Sequence, residues 1–522
     1  MRTSHGTKYP FPSYRLINIF RFLLVSLSIE EILQESTIYR RRERLSKITR
    51  DIGLGDAYGT TIERIKAQGG ENSRLGIEAL MWISHAERLL SADELRCALC
   101  VRLGSTDFNA GDVPSMRALV SCCQGLITVD KDASTVRLIH FTLQEYLLAT
   151  LDIFSRPHSG MAEICLTYLN SEQVNAIPAN CYPGPLDNSF LKYCSLYWGV
   201  HAKRELSDYA RSLALGLLQE YDGHISTEFL LKQVTDPDLR SFDPNFRFSG
   251  LHCASFFGIV ELVDALIEMG CYDINERDLG GYTPLSYASQ YGHEGVVRIL
   301  LEREDLNPDQ PDNGDRTPLS YAAQYGYGGV VELLLVREDL NPDKPDNRGQ
   351  TPLLYAAWSG HERAWDKHEG VVKMLLVRDE VNPDKPDNGG RTPLSHAAQY
   401  GCEGVVEILL RREEVDPNKL DNRGQTPLSY AACGGHEGVV EILLRGEKAN
   451  PDKPDNGGRT PLSHAAQYGH EGVVKILLER EEVNPNKPDN NDQTPLMFAA
   501  KHGHEGVIAL LRPYEDVTHS AI

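Results

Sequence analysis

The chain has 522 residues, with 53 Lys plus Arg against 74 Asp plus Glu and a net charge of −21. The charge is lopsided: residues 249–522 carry 26 basic and 45 acidic side chains (−19), whereas residues 1–248 carry 27 and 29 (−2). This length fits two to four domains, and a hydrophobic content of 41% excludes a disordered chain. The acidic half disfavours nucleic acid, because phosphate binding needs surface Lys and Arg; it suits a partner that is basic if charged, with simple solubility as the alternative.

In chain order, residues 16–29 (LINIFRFLLVSLSI) look membrane-like, but the run is too short to span and is broken by Asn18 and Arg21. It reads as a mostly buried helix, with a signal anchor as the alternative. Residues 77–103 follow a helical period through Ile77, Leu80, Met81 and Ile83, and Ser91 to Glu94 has capping-box spacing ahead of Leu95 and Leu99. Cys97 and Cys100 lie in this pattern without a second Cys or His pair, so they read as core residues rather than zinc ligands. The remaining cysteines, of 11 in all, are scattered and read as reduced. Residues 116–129 predict a helix running into a strand, Val136–Ile139 a second strand, and Gln144–Leu151 a helix, which together make a winged-helix arrangement.

The segments EALMWISHAERLLSADEL (78–95), CCQGLITV (122–129) and VRLIHFTLQEYL (136–147) resemble the winged-helix segment, itself named for GPI inositol-deacylases, that follows the NACHT module in fungal STAND proteins. Upstream, RFLLVSLSIEEIL (21–33) and DAYGTTIERIKAQ (56–68) resemble the end of that module, and FLKYCSLYWGVHAKR (190–204) the helical stretch that leads to its repeats. The resemblance implies a helical remnant at 1–68, a winged helix at 69–160 and a helical linker at 161–248. No Gly-Lys dipeptide occurs, so the sequence offers no P-loop and implies no nucleotide. Gly53, Gly55 and Gly59 have the wrong spacing for a dinucleotide fingerprint, and neither G-x-S-x-G nor H-E-x-x-H is present. The cluster Arg40-Arg41-Arg42-Glu43-Arg44, with Lys47 and Arg50, reads as a solvated helix face; as a DNA contact it supplies the alternative reading, a DNA-associated regulator.

The second half is repetitive. Thr-Pro-Leu begins at Thr283, Thr317, Thr351, Thr392, Thr426, Thr460 and Thr494, every 34 residues except for one gap of 41, and a degenerate copy begins at Ser249. That makes eight units, the last one truncated. The long gap places a 7-residue insertion in GHERAWDKHEG (360–370), where Gly-His-Glu-Gly is stretched apart. In each unit the Thr caps a first helix, Pro sits at its first position, and a Gly such as Gly401 ends it. Val405, Val406, Ile408, Leu409 and Leu410 form a second helix, and Asp416–Gly424 supplies a hairpin-like finger. The residue before Thr alternates: Arg316, Gln350, Arg391, Gln425, Arg459, Gln493. Residues 382–401 and 450–469 are identical, which implies duplication of repeat pairs.

TPLSYAAQYG (317–326) and TPLSHAAQYGHEGVVKILL (460–478) resemble the ankyrin repeat, and the resemblance covers 249 to about 512. The period is one residue longer than the usual one, and the family's His after Thr-Pro-Leu survives only as His252, with Ser286, Ser320, Ser395, Ser429 and Ser463 elsewhere. The resemblance implies contacts at the finger tips and on the concave side of the first helices. The candidate binding residues are therefore Gln290, Tyr291, Gln324, Tyr325, Trp358, Gln399, Tyr400, Gln467 and Tyr468, with Arg316, Arg391 and Arg459 beside them; the alternative is that the tyrosines pack against the next finger. His293, His361, His436, His470 and His504 recur one per turn and read as structural, since a metal needs converging ligands. Asp312, Asp346, Asp387, Asp455 and Asp489, with Glu413/Glu414 and Glu481/Glu482, are expected to form a patterned acidic surface.

The expectation is a mainly α protein, an ankyrin solenoid behind a helical and winged-helix region. It is expected to be non-enzymatic, with no cofactor, a protein partner, no membrane association and a cytoplasmic location (the nucleus being the alternative), as a truncated remnant of a STAND-type recognition protein.

Overall fold

The computed structural model describes residues 32–33, 35–51, 54–105, 110–130, 132–177, 189–234, 248–358, 365–446 and 448–515. The apolar run at 16–29 and the greater part of 21–33 lie outside them. The chain divides into two compact units, 1–240 and 241–522.

The first unit begins with helices α1 (Ile38–Asp51), α2 (Leu54–Ala67), α3 (Gly70–His85), α4 (Ala92–Cys100) and α5 (Met116–Cys122). Strands β1 (Ile127–Asp130) and β2 (Thr135–Leu138) then form an antiparallel wing in which Ile127 faces Leu138. Ser91 and Glu94 close the expected capping box on α4, and the buried Glu94 carboxylate also receives Arg88. Helix α6 (Phe141–Ala149) starts three residues ahead of the expected Gln144, because His140 acts as its N-cap, accepting from the Thr142 N–H at 3.3 Å. Helices α7 (Pro157–Leu169), α8 (Glu172–Asn175), α9 (Ser189–Arg204), α10 (Asp208–Gln219) and α11 (Ile225–Val234) complete the unit. Its core centres on Trp82, with Phe190 at 5.9 Å and Tyr193 at 5.7 Å in edge-on contacts, each ring completely buried. Each such burial contributes roughly 2–3 kcal/mol. Cys100 is buried and Cys97 half-buried, and burial raises the Cys97 thiol to about 11; among the described cysteines only Cys271 is exposed.

The second unit is the repeat array. The first helices are Gly250–Phe257, Pro284–Gln290, Pro318–Gln324, Pro352–Trp358, Pro393–Tyr400, Pro427–Gly434, Pro461–Tyr468 and Pro495–His502. Each is followed by a second helix, the last being Glu505–Leu511. Each first helix packs on the next first helix and each second helix on the next second helix, so every unit buries faces that it could not bury alone. The local signals act as expected. Thr392 Oγ1 accepts from the Ser395 N–H, Pro393 holds the first position, and Gly401 ends the helix at φ 73°; a cap of this kind contributes about 0.5–2 kcal/mol. In the second helix, Val405, Val406 and Leu409 are buried, while Ile408 and Leu410 are only half-buried.

The fingers contain no strand among the described residues. Each closes as a loop, as where Asp312 N–H donates to the Arg316 carbonyl at 3.0 Å. Ladders run instead between units. Asn422 Nδ2 donates to the Asn388 carbonyl, Asn456 to Asn422 and Asn490 to Asn456, at 3.0–3.1 Å. Lys385, Lys419 and Lys487 reach back to Asp343, Asp384 and Asp452 at 2.8–2.9 Å.

Candidate functional site

The candidate ladder sits at the ends of the first helices. Tyr291, Tyr325 and Tyr468 are 37%, 46% and 55% exposed, whereas Tyr400 and Trp358 are half-buried with their rings 6.5 Å apart. Each exposed ring leans on its own turn: Tyr325 on Tyr327 at 6.1 Å and Tyr468 on His470 at 6.3 Å. Tyr291 also meets Phe256 of the preceding unit edge-on at 4.7 Å, and burial raises its phenol to about 12. Ser359, the neighbour of Trp358, lies outside the described residues.

The turn histidines set this row. Nε2 of His436 donates to the Gln399 carbonyl at 2.9 Å, His504 to Gln467 at 3.0 Å and His470 to Cys433 at 2.9 Å. Each turn thus holds the backbone just ahead of the preceding unit's row position, Tyr400, Tyr468 or Gly434. In the stretched unit, His368 performs this role, donating to the Gln324 carbonyl at 3.1 Å. The inserted residues therefore precede His368-Glu369-Gly370, and His361, the histidine expected there, lies outside the described residues. The following glycine is needed for close approach: a Cβ on Gly404 would collide with the Glu369 carboxylate of the preceding unit.

Arg316, Arg391 and Arg459 are committed largely inward. The Arg316 guanidinium lies 4.1 Å over its own Tyr321 ring and 4.5 Å over Tyr355 of the next unit, and it also bonds Gln324. Arg391 pairs with Asp387 at 3.3 Å and Gln399 at 3.4 Å, and Arg459 with Asp455 at 3.1 Å. Gln290 and Gln467 are half-buried, and each carries a buried Oε1 that accepts no hydrogen bond from the described residues.

The expected acidic surface is corrected at its finger residues. Asp312, Asp346, Asp387, Asp455 and Asp489 are only 5–8% exposed, because each carboxylate is a hub of the loop. Oδ1 of Asp387 accepts from the Gly389 and Arg391 N–H groups at 2.9 Å, while Oδ2 receives His396 Nε2 at 3.1 Å. In other units a tyrosine takes that place: Tyr355 donates to Asp346 at 2.7 Å and Tyr430 to Asp421 at 2.6 Å. Asp455 and Asp278 are shifted in opposite directions. Burial would raise the Asp455 carboxyl, but His464, the Arg459 N–H and the Arg459 charge outweigh it and hold it down at about 2. Asp278, whose side-chain partner is Tyr287, is instead raised to about 6 by burial. The acid that stays exposed is at the ends of the second helices, Glu413, Glu414, Glu481 and Glu482. Sequence reasoning missed the Asp–Tyr/His pairs, although their constant spacing of nine residues was a usable signal.

The serines that replace histidine after Thr-Pro-Leu act only locally. Ser286 Oγ meets Thr283 Oγ1 at 3.0 Å, whereas His252 also reaches forward to the carbonyls of Glu276 and Tyr282 at 3.0 and 3.2 Å. In the basic cluster, Arg40 and Arg42 are exposed on α1, and Arg41 donates to the Glu35 and Leu33 carbonyls at 2.9 and 3.0 Å; the side chains of Arg44, Lys47 and Arg50 lie outside the described residues. No helix among the described residues is long and apolar enough to cross a membrane.

A family model for ankyrin repeats (3 copies) matches residues 220–312, 304–366, 363–455 and 447–521. A second, for the winged helix domain of GPI inositol-deacylase, matches residues 64–156. No curated protein matches the chain.

Proposed function

The chain belongs to the ankyrin-repeat family, and from that premise we propose that it is a non-enzymatic protein-recognition protein whose array contacts its partner through the tyrosine row. The observation that carries this reading is the exposure of Tyr291, Tyr325 and Tyr468 at one position of three repeats, where the preceding alanines and serines of the same helices are buried. Half-exposed tyrosines give large contact area at low entropic cost. The part-buried Gln and Arg side chains flank and stiffen the row. A partner of basic character fits the exposed glutamates at the second-helix ends.

The winged helix ahead of the array supports a finer reading, a cytoplasmic STAND-type recognition protein of fungal kind, in which this half is a regulatory module. The test is capture of partners by full-length protein against a variant with Tyr291, Tyr325 and Tyr468 changed to Ala. Loss of a specific protein from the variant supports the reading, and unchanged recovery of every captured protein removes it.

A further inference from the structure

One group of metal-ligating side chains converges among the described residues, and it lies in the first unit, away from the array. Glu87 follows α3, His158 is in the first turn of α7, and His201 is in α9; one ligand atom from each lies within 4.8 Å of the others. Nδ1 of His158 faces Nδ1 of His201 at 2.9 Å. His201 is completely buried, while His158 and Glu87 are half-buried, so the group is closed on one side and reachable from the other.

We propose that Glu87, His158 and His201 bind a single divalent transition-metal ion of the zinc class. Two imidazole nitrogens and one carboxylate oxygen are the donor set such ions prefer, with a fourth position left for water. The surrounding bonds already orient the donors. Nε2 of His201 meets Tyr193 Oη at 2.9 Å, which fixes the ring and leaves its Nδ1 lone pair pointing at the site. The Glu87 N–H donates to the same Oη at 3.3 Å, tying the loop to the ring that orients His201. With His201 Nε2–H donating to Tyr193 Oη, it is His158 Nδ1–H that donates to His201 Nδ1 in the metal-free protein. On binding, His158 carries its hydrogen on Nε2 instead, so both Nδ1 lone pairs face the ion and no proton is released. Arg204 grips the Glu87 carboxylate; Glu87 gives one oxygen to the ion and keeps the other for Arg204. The ion thereby clamps the loop after α3 to the α7–α9 pair.

Full-length protein stripped with a chelator and titrated with Co2+ tests this. The expected result is visible ligand-field absorption saturating at one equivalent, displaced by Zn2+. Glu87→Gln and His158→Ala, both at half-buried positions, are each expected to weaken binding about tenfold or more with the far-ultraviolet circular dichroism unchanged. Absence of the absorption in the wild-type protein overturns the proposal. So does a titration that neither variant alters, which would place the ion at other histidines.

Discussion

Tyr430 donates its phenolic hydrogen to Oδ2 of Asp421 at 2.6 Å, and both residues are buried. The same bond joins Tyr287 to Asp278 at 2.6 Å and Tyr355 to Asp346 at 2.7 Å, nine residues apart in each case. It fastens the finger that closes one unit to the first helix of the next. Removing the hydroxyl strands a buried carboxylate oxygen, so Tyr430→Phe is expected to cost about 1–3 kcal/mol in urea unfolding. The last unit has Phe498 at this position, nine residues after Asp489; Phe498→Tyr is expected to gain about 1 kcal/mol by the same bond. No loss in the first variant would show that the pair contributes nothing.

Asp455 gives a pH signature. Its carboxyl titrates at about 2 in the folded protein against 3.8 ordinarily, so ionised Asp455 stabilises the fold above pH 3.8, and this contribution is lost as pH falls through that value towards 2. Asp455→Asn should therefore lower stability by on the order of 2 kcal/mol at pH 7 and progressively less below pH 4. Asp278 has the opposite sign: its folded value of about 6 lies above 3.8, so its ionisation costs stability at neutral pH, and protonation relieves that cost as pH falls from 6 towards 4. Denaturation curves for Asp455→Asn and Asp278→Asn across pH 7 to 3 should diverge accordingly.

His368 carries the turn of the stretched unit. His368→Ala leaves the Gln324 carbonyl without its cross-unit donor and is expected to cost about 1–2 kcal/mol, read as a fall in melting temperature. Hydrogen exchange should rise around Tyr325, because the backbone ahead of it loses its anchor.

The tyrosine row should separate binding from folding. Tyr325→Ala and Tyr468→Ala remove rings that are 46% and 55% exposed, so each should change unfolding free energy by no more than about 0.5 kcal/mol. A larger drop on denaturation would mark the rings as packing elements instead of a contact surface.

The repeat, its helix pairs and its turns were legible along the chain because they rest on contacts of three or four residues: Thr392 capping Ser395, or Gly401 stopping its helix. The winged helix was legible for the same reason, through the Ser91–Glu94 box and the helix–strand–strand order of residues 116–139. Charge was not legible in the same way. Asp312 and Asp455 read as surface acid from composition, yet the fold buries them, because finger amides and a tyrosine or histidine nine residues on satisfy their oxygens. His368 could be told from His361 only once the preceding unit's Gln324 carbonyl was in place, 44 residues away. Glu87, Tyr193 and His201 come together across gaps of up to 106 residues. No local period records such a meeting, since packing of whole helices, rather than the spacing of residues along the chain, decides which side chains converge.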